Sequence, residues 1–169
     1  QISPAIFGSM FQSVMNPVER RNLGAHYTSE ADIMRVVLPT IVTPFQTRID
    51  AAKTQAELHA IMNELSKFRV LDPACGSGNF LYVAYRELRD LELAIMERLQ
   101  QITGDQAMLM ANVGLKVTLD HFYGIEIDDF AVEVAILSLW IAKHQMNIEF
   151  REKFGIDLPL IPLKESGSV

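Results

Sequence analysis

The chain has 169 residues, 49% apolar and 21% charged, with a formal charge of −6 and a pI near 5.2, the composition of an ordinary α/β domain with one sizeable core. Its longest apolar run, Val134 to Ala142 broken by Ser138, falls far short of the ~20 residues that span a bilayer. The N-terminal residues show no signal-peptide pattern, and the lone Cys75 excludes an internal disulfide framework. The expected setting is cytoplasmic.

In chain order, residues 5–15 predict a short amphipathic helix, closed by the turn-forming Asn16-Pro17. Arg20 to Thr28 is irregular and contains the only short basic cluster, Arg20-Arg21. A self-sufficient nucleic-acid binder carries a basic face, so most of any phosphate grip must come from elsewhere. Thr28 and Ser29 are good helix N-caps, with Glu30 and Asp32 in the first turn, where the helix dipole favours acids. The helix that follows turns Ile33, Val36, Val37 and Ile41 to one face and is expected to kink at Pro39. Leu58, Ile61, Met62 and Leu65 recur at i, i+3, i+4, i+7 and predict another helix.

Lys67 to Asp72 predicts a first sheet strand. A helix then runs to about Leu99 with Leu81, Ala84, Tyr85, Leu88, Leu91, Ile95 and Leu99 inward, and residues 103–118 read as a loop. His121 to Ile127 predicts a second strand, and Asp128 or Asp129 caps a helix whose core side is Val132, Ala135, Ile136, Leu139 and Trp140. A third strand is expected near Leu160, interrupted by Pro159 and Pro162. Strand, helix, strand, helix in this order implies a right-handed crossover and a parallel sheet flanked by helices. The division expected is an N-terminal helical segment, 1–66, and the first part of an α/β domain, 67–169. The chain starts at Gln1 and ends on Glu165 to Val169 without a helix stop, and is read as part of something larger.

Between the first strand and its helix stands Asp72-Pro73-Ala74-Cys75-Gly76-Ser77-Gly78-Asn79-Phe80. A strand–glycine loop–helix unit places a ligand at the carboxyl end of the strand, and glycines allow positive φ and close approach of a ligand. The loop lacks the third spaced glycine of a dinucleotide fingerprint and the Gly-Lys-Ser/Thr of a phosphate loop. Asp72 would repel a pyrophosphate and suit a cationic amino group, which points to S-adenosylmethionine. An acid ending the next strand typically bonds the ribose hydroxyls of such a cofactor, and Glu126 stands there. Gly78 and Glu126 are 48 residues apart, against roughly 20 in a nicotinamide enzyme.

Three segments together resemble the amino-group (adenine-N6) DNA methyltransferases, and most of all the type IIG enzymes that fuse restriction and modification in one chain. Leu23-Gly24-Ala25-His26-Tyr27-Thr28 is similar to that family's Gly-x-x-Tyr-Thr cofactor motif, Asp72 to Phe80 to its glycine motif, and Gly124-Ile125-Glu126-Ile127-Asp128 to its ribose-binding motif. The resemblance covers roughly residues 5–150 and implies a Rossmann-like S-adenosylmethionine-dependent fold, truncated here. It implies that Tyr27 and Thr28 contact the methionine part of the cofactor, and that Asp72, Ala74, Gly76 and Gly78 line its amino acid and sugar. Glu126 would take the ribose hydroxyls and Ile127 would pack on the adenine. The partner implied is double-stranded DNA, held by parts of the parent protein outside this chain. That family's catalytic Asn/Asp-Pro-Pro-Tyr/Phe motif does not occur in these 169 residues, so the chain is expected to bind cofactor and to be inactive alone, with no catalytic residue of its own.

Other readings stand beside these. A methyltransferase acting on a protein or RNA amino group would share the same motifs, and a non-catalytic or nicotinamide-binding Rossmann module would share the loop. Asp128 and Asp129 read as helix caps, Cys75 as a packed small residue, and the four scattered histidines show no metal spacing. The unpaired sheet edge is a ready site for self-association.

Overall fold

The computed structural model describes residues 28–104 and 115–157. The expected helix at 5–15, Tyr27 and the strand near Leu160 lie outside the described residues. Helix α1 (Glu30–Val37) starts where Ser29, extended at ψ 150°, accepts the amide of Asp32 on its side chain. It passes through a π turn, Leu38–Val42, into α2 (Thr43–Ala51). Pro39 and Pro44 have no N–H to complete an α ladder, and the wider turn spans Pro39, where a kink is expected.

The π turn also corrects the predicted core face. Ile33, Val37, Ile41, Phe45 and Ile49 recur every fourth residue and are all buried. On a regular α-helix such a series drifts by roughly 40° per step. One extra residue taken up in the π turn offsets most of that drift and keeps the five on a single line. Val36, expected on that line, is 52% exposed.

Thr54 and Glu57 form a reciprocal capping box that opens α3 (Gln55–Leu65), with Leu58, Ile61, Met62 and Leu65 buried as their spacing predicts. Strand β1 (Val70–Asp72) then runs parallel to β2 (Phe122–Gly124), pairing Val70 with Phe122, Leu71 with Tyr123 and Asp72 with Gly124. Both strands are shorter than the 67–72 and 121–127 expected. A turn at Ser66-Lys67 closes α3, Pro73 has no N–H to extend β1, and a 3-10 turn at Leu119–His121 leads into β2.

The crossover is α4 (Asn79–Thr103), which starts and ends on glycines in the left-handed region, Gly78 at φ 78° and Gly104 at φ 68°. At 25 residues it is twice the usual length and forms the spine of the molecule. It packs against α1–α3, both strands and α5 (Asp129–Phe154). Its predicted inward residues are all buried, and so are Val83, Arg89, Glu92, Leu93 and Met96 on its flanks. Each buried Leu or Ile contributes about 1.5–3 kcal/mol. On α5 the buried line is Ala131, Ala135, Ser138, Leu139, Ala142, Met146, Phe150 and Phe154, whereas Val132, Ile136 and Trp140 are only half-buried. The outer face of the two-stranded sheet is bare, with the paired Leu71 59% and Tyr123 38% exposed. No helix among the described residues is long and apolar enough to cross a membrane.

Asp90 gives the α4–α5 interface a pH response. Burial, then Glu149 and Glu87, pushes its carboxyl up to about 6, against the nearby Arg86 and Lys153. The folded pKa lies above the unfolded one, so Asp90 opposes folding once the unfolded chain ionises near pH 4, and increasingly up to pH 6. Asp90→Asn is therefore expected to raise stability at pH 7.5 by about 1 kcal/mol, allowing for solvent screening. The gain should vanish toward pH 4, as urea melts at the two pH values would register.

Candidate functional site

The carboxyl ends of β1 and β2 lie side by side and extend into two loops that hold each other. Ile125 N–H donates to the Asp72 carbonyl at 2.9 Å, and Cys75 N–H to the Ile125 carbonyl at 3.1 Å. The loop after β1 is shaped locally: an Asp72 carboxylate oxygen accepts Ala74 N–H at 3.1 Å, turning the chain at Pro73. Gly76 and Gly78 then take φ of 52° and 78°. A Cβ at Gly78 would sit 2.9 Å from Cα of Ala135, so helix α5 closes over that position, whereas a Cβ at Gly76 would meet nothing within 4 Å.

Glu126 fastens the loops together. One carboxylate oxygen accepts Gly76 N–H at 2.8 Å; the other accepts Ile127 N–H at 2.7 Å and Asp128 N–H at 3.0 Å. Three of roughly four lone-pair directions are used, leaving room for an incoming hydroxyl. Asp128 caps α5 by accepting Ala131 N–H at 2.8 Å, so of the two acids proposed as cap it is Asp128 that serves. Beside it Ile127 presents an apolar side chain that is 84% exposed.

Asp72, Ala74, Gly76, Gly78, Glu126 and Ile127 are thus brought to one end of the strand pair. Thr28 joins them indirectly: its carbonyl accepts the side-chain amide of Asn79, the first residue of α4, at 2.5 Å. Tyr27 lies outside the described residues. Sequence reading passed over Asn79, for which an amide one residue after the second glycine was the only local signal.

The site is acidic, and its two carboxylates take backbone N–H partners rather than a cation among the described residues. Cys75 is buried within the loop; burial, with Asp72 and Glu126 nearby, raises its thiol to about 11. It stays protonated at neutral pH and is no nucleophile. Its role is steric, since Sγ occupies the space where a Cβ on Gly124 would come within 2.7 Å. An open groove of about 380 Å³ between α2 and α4, lined by Gln46, Asp50, Glu97 and Arg98 among others, is remote in the fold from the strand ends. The described residues contain no cluster of His, Cys, Asp or Glu able to hold a metal.

The two glycines should respond differently to substitution. Gly78→Ala adds a methyl group against the backbone of α5 at a positive φ and is expected to cost about 2–3 kcal/mol of stability. Gly76→Ala meets open space and is expected to cost about 1 kcal/mol, all of it from φ. Thermal melts of the two variants side by side measure the difference.

The chain as a whole is similar to known proteins. Residues 48–169 match the family model described as MmeI, DNA-methyltransferase domain. The chain is similar to DNA methyltransferase A of Bacillus subtilis, 44% identical over the whole chain and 19% of the relative's length. It is also similar to the adenine-specific methyltransferase BrxX of Escherichia coli, 31% identical over 68% of the chain and 9% of the relative. Among solved structures it resembles the type IIL restriction-modification enzyme MmeI in complex with DNA. The TM-score is 0.89 at 41% identity, covering 98% of this chain and 22% of the other. The chain therefore spans about a fifth of the length of the Bacillus subtilis protein and of MmeI.

Proposed function

Because the chain belongs to the MmeI DNA-methyltransferase domain family, we propose that it forms the S-adenosylmethionine-binding part of a DNA adenine-N6 methyltransferase from a restriction–modification enzyme. The observation that carries the proposal is the bond from Gly76 N–H to Glu126, which ties the glycine loop to the acid just past the next strand. The adenine target is supported by the motif resemblance and by similarity to a relative named adenine-specific, and DNA as partner by similarity to an enzyme solved on DNA.

The residues present fit the cofactor. The open space at Gly76 admits a ligand against the backbone, and two carboxylates without a cation suit an ammonium and hydroxyls and disfavour a pyrophosphate. S-adenosylmethionine, when bound, supplies a sulfonium methyl group for attack by an exocyclic amine. Glu126 accepts a ribose hydroxyl on its remaining lone-pair direction, Asp72 faces the amino group, and Ala74, Gly76 and Gly78 line the sugar and amino acid. Ile127 covers the adenine, and Tyr27 and Thr28 border the methionine end. These residues bind and orient; acceleration through alignment and the capture of a flipped base fall to sequence beyond this chain.

In this reading residues 1–66 are a helical segment carrying the first cofactor motif, and 67–169 begin a Rossmann-like domain in the cytoplasm. Further elements of the same polypeptide cover Leu71, Tyr123 and Ile125; without them the bare sheet pairs with a second copy. The test is transfer of a tritiated methyl group by the full-length protein to duplex DNA, RNA or protein, followed by nucleoside analysis. N6-methyladenine in DNA, lost with Glu126→Ala, supports the proposal. Label in protein or RNA alone would replace it with the other amino-group readings.

A further inference from the structure

The first turn of α1 is fixed to α4 at two places. Besides the bond from Asn79 to the Thr28 carbonyl, the Arg86 guanidinium bonds Glu30 at 2.6 Å. Asn79 and Arg86 are seven residues, two turns, apart and so share one face of α4. Arg86 is only 28% exposed; it also bonds Glu87 at 2.8 Å and lies over the Tyr82 ring at 6.0 Å. Tyr82 in turn donates its hydroxyl to Gln145 of α5 at 3.0 Å. Of the two anchors, Asn79 is the one that touches the glycine loop: Gly78, its neighbour, is the loop's last residue, and Gly78 accepts Tyr82 N–H.

We propose that Asn79 is a positioning residue that couples the Thr28 segment to the glycine loop, so that occupancy of the loop by a cofactor also orders residues 28–33. This rests on the cofactor reading above. Its physical basis is that the Asn79 side chain hydrogen-bonds Thr28, just ahead of α1, from the first position of α4, directly after the loop, and an amide–carbonyl bond is broken by changing a single atom. Asn79→Asp keeps the shape but sets a carboxylate oxygen against the Thr28 carbonyl. An acid in the first turn of a helix is favoured by the dipole, so the variant should fold as stably as the wild type. A loss of coupling is then separable from a loss of structure.

The experiment is hydrogen exchange of the full-length protein with and without S-adenosylhomocysteine. In the wild type the ligand is expected to slow exchange in both 74–80 and 28–33. In Asn79→Asp it should protect 74–80 only, with affinity lowered about tenfold and the melting temperature unchanged. Asn79→Gln, which keeps the amide donor, should restore part of the second protection. Protection of 74–80 alone in the wild type, or of both segments in Asn79→Asp, would overturn the coupling and leave the cofactor reading standing. Protection of neither segment would remove the cofactor reading and the coupling with it.

Discussion

Glu92→Leu is expected to lower folding stability by about 3–5 kcal/mol, the usual cost of stripping one partner from a buried ion pair. Glu92 and Arg89, three residues apart on α4, are 0% and 1% exposed and bond at 2.8 Å. The other Glu92 oxygen accepts the backbone N–H groups of Lys116 and Val117, the second at 3.2 Å. Burial pushes the carboxyl up, opposed by Arg89 and those two amides. Removing Glu92 strands all three donors, and Arg89 already has Nε and Nη2 without partners among the described residues. The double variant Arg89→Met/Glu92→Leu, which takes out both charges, should be more stable than Glu92→Leu by about 1–3 kcal/mol. Urea denaturation of the three proteins measures both quantities. A single-variant cost below about 1 kcal/mol would mean that the pair does not hold the approach to β2. The consequence reaches the site, because Lys116-Val117 leads into the strand that ends next to Glu126.

Glu126→Ala is expected to weaken S-adenosylhomocysteine binding at least about tenfold. A hydroxyl donating to a carboxylate contributes about 1.5–3 kcal/mol, and every 1.4 kcal/mol is tenfold in affinity. The same substitution leaves Gly76, Ile127 and Asp128 N–H without their acceptor, so the loop also loses its preorganised shape. Glu126→Gln should fall between wild type and alanine: its oxygen can still serve Ile127 and Asp128, but its NH₂ then meets Gly76 N–H. Asp128→Ala is the contrast, losing a helix cap at about 1 kcal/mol of stability while keeping affinity within roughly threefold. Equilibrium dialysis with labelled S-adenosylhomocysteine separates the three. Equal loss in Asp128→Ala and Glu126→Ala would assign the effect to α5 and not to the ribose contact.

What was legible in the sequence is what short-range chemistry decides. Ser29, the Leu58–Leu65 stripe, the glycine loop and the acid at 126 each depend on neighbours within a few residues, and each stands where its pattern puts it. The π turn was not legible, because the fourfold spacing of Ile33 to Ile49 becomes informative only once all five side chains share one core. Strand lengths failed for a related reason: an apolar run says nothing of where a partner strand stops pairing. Nothing in the sequence pattern singled out Arg89 and Glu92, whose pairing inside the fold is completed by the chain returning at Lys116. At the site, Glu126 was found by its position after a strand. The 50-residue reach of its bond to Gly76 and the still longer one from Asn79 to Thr28 belong to tertiary structure alone.

The measurement that bears most directly on the cofactor cradle is calorimetric titration of the full-length wild-type protein with S-adenosylhomocysteine and, separately, with NAD. Saturable one-site binding of S-adenosylhomocysteine and no heat with NAD is the expected result. Binding of NAD, or no binding of S-adenosylhomocysteine by a folded sample, would contradict the assignment of the glycine loop and Glu126 to that cofactor.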